Sequence, residues 1–348
     1  MKDSGQIIAD WYQKNARDLP WRQTRDPYKI WLSEVILQQT RVSTGLAYYQ
    51  RIVKAYPDVQ SLAAADDDAF MLQWQGLGYY RRAENLLSAA RYVTKHLDGK
   101  LPGNAQGLRS LRGIGHYTAA AIASFAYDEP VQVMDGNVRR VISRLFDLSV
   151  PVDTSEFEKT ACSALDEIFD RKKPALFNQA IMEFGALLCK KVPLCRQCPV
   201  QMHCLSFQQG IQQQRPVKGK ATKKRSRYIC YFVWQSEGKL ALVKRGDADI
   251  WRSLYEFPNV EMDRAGTDEQ VLAKAMEKYS FRNAGILFVS DCKAHVLSHQ
   301  SIKARIYLLE GEIPAGINMV SLSALPDYPM HRLMEKIIDH PEVQKLLS

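Results

Sequence analysis

The sequence predicts two domains of different class: a mainly α domain over residues 1–208 and an α+β domain over 228–348, joined by a basic linker at 209–227. Three observations predict this. Apolar residues recur at helical spacing in segments such as 61–74, 79–97 and 155–170, with Gly and Pro between them at 76–78, 99–103 and 113–115. The stretch "QGIQQQRPVKGKATKKRSR" holds no acidic residue, and seven Lys or Arg fall between Arg215 and Arg227, as suits a solvated tether. Beyond it the apolar period drops to two. With 348 residues, 46% of them hydrophobic, the chain can fill two cores.

The net charge is +9 and the pI near 9.1, which points to an anionic partner. Nucleic acid ranks ahead of a membrane surface, because no basic amphipathic anchor is evident. The opening "MKDSGQIIADWYQ" is polar and amphipathic, without a signal-peptide pattern, and no apolar run reaches the length of a membrane span. Seven cysteines without a secretion signal imply a reducing compartment, where clustered thiols suggest metal rather than disulfides.

Taken in order, "IWLSEVILQQT" (30–40) places one carboxylate, Glu34, in an apolar run. On a helix its neighbours one turn away are Ile30, Trp31, Leu37 and Gln38, three of them apolar. A carboxyl so placed is desolvated and can keep a proton near neutral pH, as a general acid must. The competing reading is a surface Glu beside a buried stripe. Ser61 and Thr154 carry side chains suited to helix starts.

In "LRGIGHYTAAAIASFAY" (111–127) a Gly-x-Gly turn precedes an Ala-rich helix. Gly113 and Gly115 permit close approach, and amides free at a helix N-terminus suit one DNA phosphate, although tight interhelical turns often need Gly anyway. In "VMDGNVRRVISRLF" (133–146) Asp135 precedes a helix. It reads either as a plain N-cap or as a carboxylate held where cationic charge develops. "CKKVPLCRQCPVQMHC" sets Cys189, Cys195, Cys198 and Cys204 at gaps of five, two and five. That cluster favours metal: iron–sulfur ligation first, with zinc and His203 as the alternative. Cys162, Cys230 and Cys292 read as core thiols.

Past the linker, "YICYFVW" and "LALVK" flank "QSEGK" as a hairpin; "ILFVS", "AHVLSH" and "KARIYLLEGEI" read as further strands. "DEQVLAKAMEKYS" reads as one helix, and a last amphipathic helix spans about 330–347.

Together, "DLPWR" (18–22), "WLSEVILQQTRV" (31–42), "GLGYYRRAENL" (76–86), "LRGIGHYTAAAI", "MDGNVRRV", "FNQAIMEFGALLC" (177–189), the Cys cluster and "WRSLYEFP" (251–258) resemble the helix–hairpin–helix DNA glycosylase superfamily, and within it the MutY-type adenine DNA glycosylases. The resemblance covers nearly the whole chain. It implies a helix–hairpin–helix core with an iron–sulfur loop and a C-terminal Nudix-like domain.

By resemblance the activity is hydrolytic release of adenine, flipped out of duplex DNA, from opposite 8-oxoguanine or guanine. Glu34 would be the general acid at adenine N7, and Asp135 would stabilise the oxocarbenium-like sugar or form a transient covalent bond. Tyr117 and Asn137 would line the reacting sugar and its water. Relatives that cleave the strand through a Schiff base carry Lys at the Tyr117 position, so a monofunctional enzyme is expected.

Gln39, with Gln38 beside it, would wedge near the 8-oxoguanine, and Tyr79 would intercalate next to it. Lys190, Lys191 and Arg196 are expected on phosphates. Ser298 and His299 match the family's Ser–His loop, while Leu297 replaces a more usual Phe. The segment "NVEMDRAGTDEQVLAKAMEKYS" lacks the acidic Nudix signature, so pyrophosphate hydrolysis is not expected. The first cysteine gap is five residues where the family commonly has six. One 4Fe–4S cluster, a monomer and a bacterial cytoplasmic, nucleoid-associated location complete the expectation. A catalytically silent DNA-binding protein is the reading from another class, and an endonuclease III-like enzyme the runner-up among enzymes.

Overall fold

The computed structural model describes residues 3–219, 224–246, 249–279, 285–292, 294–297, 299–310 and 316–347. Twelve helices precede the described strands: α1 (Asp3–Asn15), α2 (Pro27–Leu37), α3 (Val42–Ala55), α4 (Val59–Ala63), α5 (Asp67–Trp74), α6 (Arg81–His96), α7 (Ala105–Leu108), α8 (His116–Tyr127), α9 (Gly136–Leu145), α10 (Ser155–Asp166), α11 (Pro174–Leu187) and α12 (Leu205–Gln208). Then follow β1 (Arg225–Ser236), β2 (Lys239–Lys244), β3 (Tyr255–Glu256), β4 (Asn259–Met262), α13 (Asp268–Tyr279), β5 (Gly285–Asp291), β6 (His295–Val296), β7 (Gln300–Glu310), β8 (Asn318–Ser321), α14 (Arg332–Ile338) and α15 (Pro341–Leu347).

The chain forms two compact units, Met1–Ala64 with Asn85–Lys220, and Ala65–Glu84 with Ala221–Ser348. This differs from a division at 209–227 in two respects. Residues 65–84 join the C-terminal unit, where Asp68 takes bonds from Lys244 (2.6 Å) and Tyr255 (3.0 Å). The start of the expected tether instead packs on the helical unit: Arg215 pairs with Asp147 at 2.9 Å, and the Val152 amide donates to the Val217 carbonyl. β1 then begins at Arg225, inside the range expected to be linker.

Two expected helices are broken for local reasons. The 61–74 segment becomes α4 and α5, because Asp66 caps a new start by accepting from the Ala69 amide. Ser61 is not the cap itself; Asp58 is, with Ser61 returning a bond to it. The 330–347 segment splits into α14 and α15 at Pro341, which lacks the amide a continuous helix needs. Thr154 does cap α10, accepting from Phe157.

In the helical unit, α1, α9, α10 and α11 share a core of Ile8, Val138, Ile142, Phe157, Ile181 and Phe184. Helix α2 is buried nearly all round and packs on α8, whose Ala119, Ala120 and Ala121 let the two axes approach. In the other unit a mixed sheet runs β3-β2-β1-β7-β5, with β1 and β7 parallel. Strand β1 alternates strictly: Ile229, Tyr231 and Val233 face a core shared with α14 and α15, while Cys230, Phe232 and Trp234 face one shared with α13. Because both faces are covered, the sequence of β1 is a continuous apolar run rather than an alternation of apolar and polar residues.

Candidate active site

Helix α2 starts where Asp26 accepts from the Tyr28 amide ahead of Pro27, and it ends at Gln38. Glu34 lies near its end with a side chain only 6% exposed. The Tyr117 hydroxyl, from the first turn of α8, donates to Glu34 Oε2 at 2.6 Å. Burial, assisted by the nearby charge of Asp135, pushes the Glu34 carboxyl up to about 7 against the Tyr117 hydrogen bond and the Arg22 cation. The surface reading of Glu34 is thereby excluded.

Asp135 is the N-cap of α9: its Oδ1 accepts from the Val138 amide at 2.7 Å, and its Oδ2 from Asn137 Nδ2 at 2.7 Å. Burial raises its pKa, opposed by those hydrogen bonds. The cap and the positioned carboxylate are thus one arrangement, since capping points the carboxylate where the helix dipole favours its charge. Asn137 Oδ1 accepts from Arg140 at 2.8 Å, and Arg140 Nε donates to the Cys189 carbonyl at 2.7 Å. A hydrogen-bonded chain therefore runs from Asp135 to the cysteine-rich loop.

Glu34, Tyr117, Asp135, Asn137, Gln38 and Gln39 line one cleft of about 670 Å³. Gln38 Nε2 donates to Thr118 Oγ1 at 3.1 Å, and Gln39 adopts a left-handed backbone with φ 58°. Non-glycine residues in that region persist only when their surroundings hold them there.

The same cleft includes Arg17, Arg22 and Glu183, which the sequence reading did not single out. Both arginines bind the buried Glu183 carboxylate in fork fashion, at 2.6–3.0 Å. Burial would raise its pKa, but these bonds hold it at about 2. The available signal was "AIMEFGALL", a lone acid in an apolar helix, the pattern that marked Glu34.

Gly185 on α11 is a further unnoticed residue. A Cβ there would lie 2.7 Å from Asn137 Cβ and 3.0 Å from its carbonyl oxygen. We expect Gly185→Ala to force α11 away from the start of α9, costing about 1–3 kcal/mol. It should also slow single-turnover catalysis by about tenfold or more, because small misplacements are costly at a reacting centre. A thermal melt and a rate measured well below the midpoint check both.

Between α7 and α8, Gly113 has φ 82° and a Cβ on it would sit 2.6 Å from Asn85 Cβ, so glycine is required. Gly115 caps α8, and a Cβ there would meet nothing within 4 Å; the turn is open. In the other unit Tyr79 is 52% exposed with φ 49°, after Gly76 at 91° and Gly78 at 72°.

Cys189, Cys195, Cys198 and Cys204 line one small cavity with Arg144, Leu188, Leu194 and Phe207. Buried Arg144 donates to Cys189 Sγ at 3.4 Å and to the carbonyls of Lys190 and Lys191. Among the described residues no three His, Cys, Asp or Glu side chains converge on a single metal ion. His203 bonds Ser4 through Nδ1. Lys190, Lys191 and Arg196 are exposed, as is His299, whose carbonyl accepts from the Arg225 amide. Ser298 lies outside the described residues.

The helical unit thus sets the buried Glu34 carboxyl and the half-buried Asp135 carboxyl on one open cleft. Residues 32–165 match the family model for HhH-GPD superfamily base excision DNA repair proteins, and 229–340 match that of the NUDIX domain. The adenine DNA glycosylase of Arabidopsis thaliana is 35% identical over 89% of this chain, which spans 57% of that relative's length. The enzyme of Buchnera aphidicola subsp. Schizaphis graminum is 32% identical over 74% of each chain, and that of Homo sapiens 31% identical over 88% of this chain and 67% of its own. Accordingly, the chain belongs to the adenine DNA glycosylase family. A solved thermostable thymine-DNA glycosylase superposes with TM-score 0.54 at 26% identity, over 60% of this chain and 96% of its own. An endonuclease III–DNA covalent intermediate, at 22% identity, shares the fold over 60% of this chain and 95% of its own with TM-score 0.52. Among the described residues no helix is long and apolar enough to cross a membrane.

Proposed function

We propose that this protein hydrolyses the N-glycosidic bond of adenine mispaired with 8-oxoguanine or guanine in double-stranded DNA, acting as a monomer and leaving an abasic site. The observation that carries this reading is the buried Glu34 carboxyl, held near neutrality at about 7 on the cleft that Asp135 also lines. With adenine flipped into the cleft, neutral Glu34 gives its proton to N7 and the C1′–N9 electron pair leaves with the base. Tyr117, donating to Oε2, leaves Oε1 to carry that proton. Positive charge then grows on the sugar, and the Asp135 carboxylate stabilises it electrostatically or through a transient covalent bond. Water adds at C1′, its proton returns to Glu34, and Asn137 orients Asp135.

Tyr117 stands where strand-cleaving relatives carry Lys, and Schiff-base chemistry needs an amine. That supports a monofunctional enzyme over an endonuclease III-like one. Gln39, with Gln38 beside it, wedges near the base opposite adenine and Tyr79 intercalates next to it, with Ser298 and His299 reading 8-oxoguanine. The turn at Gly113 and Gly115, with Lys190, Lys191 and Arg196, binds phosphates. In a single-turnover assay on adenine opposite 8-oxoguanine, strand cleavage is expected only after hot alkali. Cleavage without alkali would establish lyase chemistry. None in either sample, from protein that binds the duplex, would leave a silent DNA-binding protein.

The four cysteines fit one 4Fe–4S cluster: they line a shared cavity, and the Arg144 cation beside Cys189 offsets the negative charge of a thiolate-bound cluster. The group would hold the basic loop in shape. We expect about four irons per chain, with Cys198→Ser losing most of the iron together with affinity for DNA. One zinc per chain by metal analysis would replace this assignment with the tetrahedral alternative.

A further inference from the structure

The turn that presents Tyr79 is tied at both ends to one residue more than two hundred positions away. Gln75 Oε1 accepts from the Met330 amide at 3.1 Å, and the buried Tyr80 hydroxyl donates to the Met330 carbonyl at 3.1 Å. Both main-chain groups of Met330 are thus engaged by side chains flanking Gly76–Tyr79. Within that stretch Gly76, Gly78 and Tyr79 all have positive φ. The Tyr80 hydroxyl also accepts from the Gly76 amide at 3.3 Å, so one side chain links the start of the turn to its end.

The anchor is itself rigid. Met330 is 3% exposed and bridges to Tyr255 of β3, whose amide donates to the Pro329 carbonyl at 2.8 Å. Gln75 Nε2 reaches Glu335 on α14 at 3.2 Å, and the Gly78 carbonyl takes bonds from Trp74 Nε1 and Arg82. Arg82 then lies over the Tyr79 ring at 5.5 Å. An exposed aromatic on left-handed backbone would otherwise relax to ordinary φ values and lose its direction.

We propose that Gln75 and Tyr80 are positioning residues that clamp the Tyr79 turn on Met330, so that the C-terminal elements set discrimination for the base opposite adenine by fixing that aromatic. The clamp rests on the wedge role proposed above for Tyr79.

The test is a double-mutant cycle read as the ratio of single-turnover rates on duplexes with 8-oxoguanine and with guanine opposite adenine. Tyr80→Phe removes only the hydroxyl. It should lower that ratio about fivefold in the otherwise unchanged protein, the worth of one hydrogen bond, and leave it unmoved in a Tyr79→Ala background. A general loss of stability would slow both substrates alike and leave the ratio intact. An unchanged ratio for Tyr80→Phe, or the same drop with and without Tyr79, overturns the clamp while the wedge stands. If Tyr79→Ala alone leaves the ratio unchanged, the wedge fails and the clamp falls with it. Should Tyr80→Phe not fold, Gln75→Met, which removes the acceptor for the Met330 amide, is read by the same outcomes.

Discussion

Glu34→Gln is expected to slow single-turnover adenine release by about 10²–10⁴-fold, the usual contribution of a positioned general acid. Gln is close in shape and can still accept the Tyr117 hydroxyl, so substrate affinity should change little. The rate of the unchanged enzyme should fall as pH rises through about 7, where Glu34 loses its proton. It should fall again on the acid side as Asp135 becomes protonated. Stability carries the same signature with a definite sign. The folded pKa of Glu34 lies above its usual 4.5, so its contribution is fully favourable below that value and is lost as pH rises through about 7. The loss is at most about 3 kcal/mol. Glu34→Gln should therefore melt above the unchanged protein at pH 8 and alongside it at pH 4. A rate within tenfold of normal, or a melting difference independent of pH, would sink the neutral-acid reading.

Asp135→Asn is expected to lower the same rate by about 10²–10³-fold, as when a preorganised group facing transition-state charge is removed. Asn caps helices as well as Asp does, so α9 should remain capped and the thermal midpoint nearly unchanged. Asp135→Ala removes the cap as well and should cost about 1 kcal/mol more. The two carboxyls are coupled: the Asp135 charge raises the Glu34 pKa. In Asp135→Asn the alkaline limb of the residual activity should consequently move to lower pH. An unshifted limb would mean that the two groups act on separate steps.

Much of the fold could be read from local chemistry. The strict alternation along β1 puts Tyr231 and Phe232 on opposite faces of the sheet, and that follows from the pleat alone. The N-cap reading of Asp135 was also local, since it precedes Gly136 and a helix and needs only its own neighbours to become one. Other features were legible but misjudged in extent. Pro341 interrupts the last helix, and Asp66 restarts one read as continuous. The reach of the tether was not legible. Its first residues pack on the helical unit through Arg215 and Asp147, a pairing between residues 68 positions apart.

The two buried acids mark the limit most clearly. Glu34 in "WLSEVIL" and Glu183 in "AIMEFGALL" have the same local signature, a single carboxylate in an apolar helix. That pattern is compatible with burial but does not compel it, since a lone acid beside an apolar stripe can also face water; the structure buries both. Nor does the pattern decide their protonation. Glu183 meets Arg17 and Arg22, brought from the other end of the helical unit, and stays ionised at about 2; Glu34 meets a tyrosine hydroxyl and the charge of Asp135 and stays near 7. Local composition makes desolvation available, whereas the packing that completes it and the Coulomb partners that oppose or reinforce it arrive only through the tertiary fold. Which carboxyl can donate a proton at neutral pH was therefore decided by packing between segments far apart in the chain.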